Sequence, residues 1–291
     1  MTTPISPTIL SERFTKEIGV PVYIKPEIHS PTGSYKDRMA TEAIEESRAA
    51  GATKVVLTSS GNQGVAIAYA AQAVGMPCLV VSTKHILPIY REELNRLGAE
   101  LELTPDMKSR SACFHERVAE GYFPLSVVPE DRGQLVQAGK SGYAAIAREI
   151  VDELGKAPEF LILPSCFGDG CTGILKGFQT LAEERGTIIP KFFLLRATSD
   201  VDIAYSITAD ITTPEVASVE KTTNGRSIFY QHEDFVKAEQ LAREGGFDVE
   251  PCSAIPLLAV QRLHAEEPDL FTNSTIVLLL TARSRPGTTP A

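Results

Sequence analysis

The chain has 291 residues, of which 43% are hydrophobic and 22% charged, a make-up that suits a folded protein long enough for two lobes and excludes a disordered or coiled-coil chain. Lys and Arg number 28 against 37 Asp and Glu, a net charge of −9, and no basic cluster or basic stripe interleaved with aromatics is present, so no nucleic acid partner is expected. Residues 1–10 lack a basic and apolar leader, and the longest apolar runs, such as Ile276 to Leu280, are far too short to span a bilayer, so the expected location is cytoplasmic with no membrane partner.

Along the chain, residues 21–25 are strand-like. Pro31-Thr32-Gly33 then signals a turn, Ser34 reads as an N-cap, and residues 37–50 read as a helix. Lys36 therefore falls in the opening turn, where the helix dipole and unpaired amides disfavour an ammonium. A neutral amine there suits Schiff-base chemistry. By itself, a lysine beside Asp37 and Arg38 would read as solvated surface.

Residues 54–57, 64–74 and 78–81 read as strand, helix and strand. The turn leaving the first strand, Ser59-Ser60-Gly61-Asn62-Gln63-Gly64, brings hydroxyls and backbone amides to a helix start, where a carboxylate or phosphate is stabilised. Residues 89–97 are helical, 100–103 strand-like, 141–154 helical and 159–163 strand-like.

A third motif follows, Pro164-Ser165-Cys166-Phe167-Gly168-Asp169-Gly170-Cys171-Thr172-Gly173, ahead of a helix at 172–184. Gly168, Gly170 and Gly173 match the G-x-G-x-x-G pattern of dinucleotide sites. The next strand, 192–196, ends in Arg196, however, and not in the acidic residue a dinucleotide ribose wants. A glycine loop at a helix start cups a phosphate whatever molecule carries it. Helices at 234–244 and 254–264 precede a buried strand at 275–280, after which Thr281, with Ser284 as substitute, ends the strand in a hydroxyl. Residues 283–291 read as a frayed tail.

This alternation predicts an α/β fold of two lobes with mostly parallel sheets flanked by helices. The five cysteines, Cys78, Cys113, Cys166, Cys171 and Cys252, are odd in number and scattered, as expected of reduced thiols. No zinc spacing surrounds them, so no metal is expected, and the five histidines share no motif.

An amine, a carboxylate cradle and a phosphate cradle together are what pyridoxal 5′-phosphate and an amino acid substrate require. With these residues in view, the chain resembles the tryptophan synthase β superfamily, the fold-type II pyridoxal-phosphate enzymes that include threonine synthase, cysteine synthase and serine or threonine dehydratase. The resemblance rests on Ile24-Lys25-Pro26-Glu27, Pro31 to Arg38, Ser59 to Gly64, Gly168 to Thr172, and Glu250-Pro251-Cys252-Ser253-Ala254, five motifs in the family's order.

What the resemblance implies is specific. Lys36 forms the Schiff base with the cofactor and shuttles the Cα proton. Asn62 bonds the cofactor's 3′-oxygen, while Ser59, Ser60, Gln63 and neighbouring amides hold the substrate carboxylate. Gly168, Gly170, Cys171 and Thr172 cup the phosphate, with Asp169 in the same loop where the family has a neutral residue. Thr281 faces the pyridine nitrogen as a neutral partner. The implied smaller lobe is 41–132, inserted into a larger cofactor-binding lobe of 1–40 and 133–291, and the implied assembly is a homodimer.

The implied reaction is β- or γ-replacement or elimination on an amino acid with an activated side chain, threonine synthase-like. Lys36-Asp37-Arg38 and Gln137-Ala138-Gly139-Lys140-Ser141 point to that branch. The alternatives are a cysteine synthase-like β-replacement in specialised metabolism, a nucleotide-binding oxidoreductase using Gly168 to Gly173, or a relative that has lost the cofactor.

Overall fold

The computed structural model describes residues 6–125, 132–198, 201, 206–208 and 212–286. The chain divides into two compact units, one of Ser30–Gly142 and the other of Ile5–His29 with Tyr143–Ala291. The boundaries thus lie at 30 and 142, where the sequence placed a smaller lobe at 41–132.

The smaller unit holds a parallel sheet of β3 (Val55–Thr58), β4 (Cys78–Thr83), β5 (Glu100–Thr104) and β6 (Phe123–Pro124), in the order β5-β4-β3-β6. Its helices are α2 (Lys36–Ala49), α3 (Asn62–Ala73), α4 (Pro88–Arg96) and α5 (Met107–Ala119). β3 and β4 are buried along their whole length, their apolar runs Val55-Val56-Leu57 and Cys78 to Val81 together with the hydroxyl residues Thr58, Ser82 and Thr83 that end them. Phe114 and Cys113 of α5 close a core over Val56, Leu79 and Val81.

In the larger unit a six-stranded sheet joins β1 (Ile9–Leu10), β2 (Val22–Pro26), β7 (Phe160–Pro164), β8 (Lys191–Ala197), β9 (Arg226–Tyr230) and β10 (Ile276–Leu280) in the order β1-β2-β10-β7-β8-β9. All its pairings are parallel except β1 with β2. Helices α1 (Glu12–Ile18), α9 (His232–Glu244) and α10 (Pro251–Glu266) contribute to the core that buries Ile24, Ile162, Leu195, Leu278 and Leu280. Against the opposite face lies α7 (Asp169–Arg185), whose Phe178 meets Phe192 edge-on at 6.1 Å between ring centroids. A Cβ on Gly177 of α7 would stand 2.4 Å from the carbonyl oxygen of Ala144 in α6 (Arg132–Leu154), so those two backbones touch only because the residue is glycine.

Each predicted strand and helix has a counterpart, with shifted ends. The helix predicted from 172 starts at Asp169, and the one predicted from 141 starts at Arg132. Helices α1, α5 and α8 (Pro214–Thr223) and the strands β1, β6 and β9 were not anticipated. Only Cys113 and Phe114 of α5 are buried, too thin an apolar stripe to register as a helical period. The predicted frayed tail is corrected at its start: Arg283 bridges Val249, Ser284 N–H donates to Asp248 O at 3.2 Å, and Arg285 is buried. Residues 287–291 lie outside the described residues.

Candidate active site

In the smaller unit, the turn before α2 is closed by Gly33 N–H donating to Ser30 O at 2.8 Å. The carboxylate of Asp37 accepts from both the amide (2.8 Å) and the hydroxyl (2.6 Å) of Thr32, which clamps the turn onto the first helical turn. Ser34 is not the N-cap that the sequence suggested. That position belongs to Tyr35, in helical conformation, because the helix opens through i to i+3 bonds from Asp37 N–H to Ser34 O and from Arg38 N–H to Tyr35 O. Lys36 is consequently the first helical residue, half-buried, with its ammonium 5.3 Å from the centroid of the Tyr35 ring. The Ser34 hydroxyl is buried with no hydrogen-bond partner among the described residues.

At the carboxyl end of β3, the Ser59 oxygen accepts from Gly64 N–H at 2.9 Å and from Gly61 N–H at 3.3 Å, while Ser59 N–H donates to Val81 O. Ser59 thus holds the bend into α3. Ser60 pairs its hydroxyl with that of Ser82 at 3.0 Å. Gln63 has a buried side-chain nitrogen with no acceptor among the described residues, and Asn62 and Gln63 open α3 with amides that precede its hydrogen-bond ladder.

In the larger unit, β7 runs into the loop before α7. Gly168 has φ 101°, and a Cβ there would lie 2.9 Å from Glu215 Cβ and 3.1 Å from Val216 N, so both conformation and space demand glycine. Thr213, the N-cap of α8, donates its hydroxyl to Phe167 O at 2.7 Å and so braces the loop from behind. The α7 ladder starts with Thr172 N–H donating to Gly168 O, which leaves the amides of Asp169, Gly170 and Cys171 ahead of it. Burial pushes the Cys171 thiol up to about 12, so it stays protonated and donates inward to Gly168 O at 3.2 Å.

The hydroxyl oxygen of Thr172 and Oδ1 of Asp169 are buried with no partner among the described residues. Three amides and a buried hydroxyl at a helix start fit a phosphate monoester; the Asp169 carboxylate opposes one. Strands β10 and β7 are parallel neighbours, paired as far as Leu278 beside Ile162, so Thr281 leaves β10 at the same carboxyl end of the sheet from which this loop leaves β7. Carboxyl ends of parallel strands are where such sheets bind ligands. Thr281 is buried, and its hydroxyl lies 2.8 Å from that of Ser253. Ser253, a residue of the Glu250 to Ala254 motif, had been given no role in the sequence; only its place opposite β10 reveals one.

Arg196, next to last in β8, is fully buried and donates to the Thr212 hydroxyl at 3.3 Å. Among the described residues no three His, Cys, Asp or Glu side chains gather at metal-binding spacing, and no helix is long and apolar enough to cross a membrane.

The sequence model of a family described as "Pyridoxal-phosphate dependent enzyme" matches residues 1–282. Among curated proteins, a threonine synthase of Halalkalibacterium halodurans is 26% identical over 95% of this chain and 81% of its own length. A serine dehydratase-like protein of Mus musculus is 24% identical over 86% of this chain and 74% of its own. Among solved structures, a serine racemase from Dictyostelium discoideum superposes with a TM-score of 0.81 at 18% identity, covering 97% of this chain and 93% of that one. A threonine deaminase isoform 2 from Solanum lycopersicum gives 0.80 at 18% identity, covering 98% and 86%. These structural likenesses concern the fold.

Proposed function

Because the chain belongs to the family of pyridoxal-phosphate dependent enzymes, whose cofactor is pyridoxal 5′-phosphate, we propose that it eliminates or replaces a group at Cβ or Cγ of an amino acid with an activated side chain, in the manner of a threonine synthase. The observation that carries the reaction type is the buried Thr281 hydroxyl, which directly follows β10 at the carboxyl end of the larger sheet. A neutral hydroxyl as ring-nitrogen partner leaves the ring less electron-withdrawing than a carboxylate would, which favours loss of a leaving group over transamination. The curated threonine synthase relative supports the same branch.

When bound, pyridoxal 5′-phosphate supplies the electron sink that acidifies the Cα proton of an attached amino acid. Lys36 contributes its ε-amine as covalent anchor and as the base at that Cα. Ser60, Gln63 and the amides opening α3 hold the substrate carboxylate, Ser59 shapes their bend, and Asn62 bonds the 3′-oxygen. In the larger unit the amides of Asp169, Gly170 and Cys171 and the hydroxyl of Thr172 take the phosphate oxygens, with Gly168 giving the turn its form. The family match favours this reading over a dinucleotide role for Gly168, Gly170 and Gly173. A homodimer is the proposed assembly, to be checked by light scattering.

The test is the absorbance spectrum of purified protein, wild type against Lys36→Ala, followed by a substrate panel. Wild type should carry the cofactor's visible band and Lys36→Ala should lack it. Conversion of O-phosphohomoserine to threonine supports γ-replacement, and reaction of O-acetylserine or O-phosphoserine supports β-chemistry. A wild-type protein inert toward the whole panel would overturn the proposal.

A further inference from the structure

Ser253 is the third residue of α10, a place where a serine hydroxyl ordinarily bonds its own helix backbone. Here it turns away. Its oxygen accepts Ala282 N–H at 2.8 Å and lies 2.8 Å from the Thr281 hydroxyl, both on the segment leaving β10, and Ser253 itself is 0% exposed.

The count of donors and acceptors decides the direction of this contact. Ser253 has one proton to give, and among the described residues the Thr281 oxygen is the acceptor in contact with it. The carbonyl one turn back, Glu250 O, already accepts the amides of Ser253 and Ala254. Were Thr281 the donor, Ser253 would receive two hydrogens and its own proton would be stranded in a fully buried place, a costly arrangement. The favoured state has Ser253 donating to Thr281, so the Thr281 proton is left to point outward at the carboxyl end of the sheet.

We propose that Ser253 is a positioning residue that commits Thr281 to act as hydrogen-bond donor toward the cofactor's ring nitrogen. This rests on the reading of Thr281 as the partner of that nitrogen. Ser253 touches neither cofactor nor substrate; it acts through the direction of one O–H bond. Without it, the Thr281 hydroxyl rotates freely, and the preference for an unprotonated ring nitrogen weakens.

The experiment uses protein reconstituted with pyridoxal 5′-phosphate and reads the pH titration of the cofactor's visible band, with cofactor dissociation measured by fluorescence. Ser253→Ala is expected to move the titration midpoint by roughly half a pH unit or more and to weaken cofactor retention about fivefold, the loss of one neutral hydrogen bond. Thr281→Val should shift both further in the same direction. The double variant should match Thr281→Val alone, because Ser253 has no other route to the cofactor.

A silent Ser253→Ala beside an altered Thr281→Val overturns the proposal and leaves the Thr281 reading intact. A silent Thr281→Val removes that reading and the proposal with it. A double variant worse than Thr281→Val shows Ser253 acting independently, which also overturns it. If Ser253→Ala does not fold, Ser253→Cys keeps the volume with a weaker donor and should give the same shift, reduced in size; an unshifted titration in Ser253→Cys counts against the proposal.

Discussion

Asp169 is the residue whose chemistry sits least comfortably with its neighbours. Its carboxylate stands in the first turn of α7, where the helix dipole welcomes an anion, and Oδ1 is buried without a donor in the place where three amides and the Thr172 hydroxyl would meet a phosphate. Two anions then compete for one set of donors. Asp169→Asn, which keeps the shape and removes the charge, is expected to tighten retention of pyridoxal 5′-phosphate about tenfold, and Thr172→Val to loosen it about fivefold. Equilibrium dialysis of the cofactor against the two variants checks both. If Asp169→Asn binds the cofactor more weakly than wild type, Asp169 contributes to the cradle instead of opposing it.

At the level of elements, ionic contacts tie helix α6 to the larger sheet and helix α9 to α10. Lys25 of β2 is fully buried, with its ammonium 2.8 Å from Glu149 and 3.5 Å from Glu153, both on α6, and it also donates to Ser6 O. Lys25→Met would leave two carboxylates facing an apolar chain, an expected loss of about 3 kcal/mol in denaturant unfolding. Asp234 serves α9 differently. It accepts Gln231 N–H at 3.0 Å as half of a capping box and takes the Arg262 guanidinium from α10, one bond at 3.2 Å.

Burial pushes the Asp234 carboxyl up, but the Arg262 hydrogen bonds, the Gln231 amide and the Arg262 charge more than offset this, so it lies below its ordinary 3.8. A folded-state value below the unfolded one means the group stabilises the fold above the ordinary carboxylate range. That contribution is lost as pH falls through the depressed value. Asp234→Ala should therefore cost about 2 kcal/mol near neutral pH, with the gap to wild type narrowing below pH ~4. Thermal melts across an acid series measure this, and a gap that stays constant with pH would exclude the ionic origin.

For the whole molecule, two compact units, each with its own sheet and core, predict that unfolding is not a single two-state event. A cofactor that binds only folded protein raises stability by mass action, about 2.7 kcal/mol at a hundredfold excess over its dissociation constant. Urea unfolding followed by fluorescence should show more than one transition in the absence of cofactor. Pyridoxal 5′-phosphate should move unfolding to higher urea. A single coincident transition by every probe would show that the units unfold as one.

Much of this was legible before any coordinates. Strand-helix alternation is written in local periodicity, so the parallel α/β character followed from runs such as 276–280, and the turn at Pro31 to Gly33 and the glycines of 168–173 carry their backbone demands in their residue types. Lys36 at a helix start needed only neighbours within a few positions. Other features depend on which residues meet across the chain. Ser59 reads like a ligand donor until its oxygen is seen holding Gly61 and Gly64, and Ser34 reads like a cap until Asp37 fastens Thr32 and draws the helix start to Lys36. Ser253 and Thr281 are 28 positions apart, and nothing local to either one points to the other. Backbone preferences are properties of short segments and survive in the sequence, whereas the partner of a buried hydroxyl is set by the register of β10 against β7 and by the packing of α10, and only the folded chain brings those together.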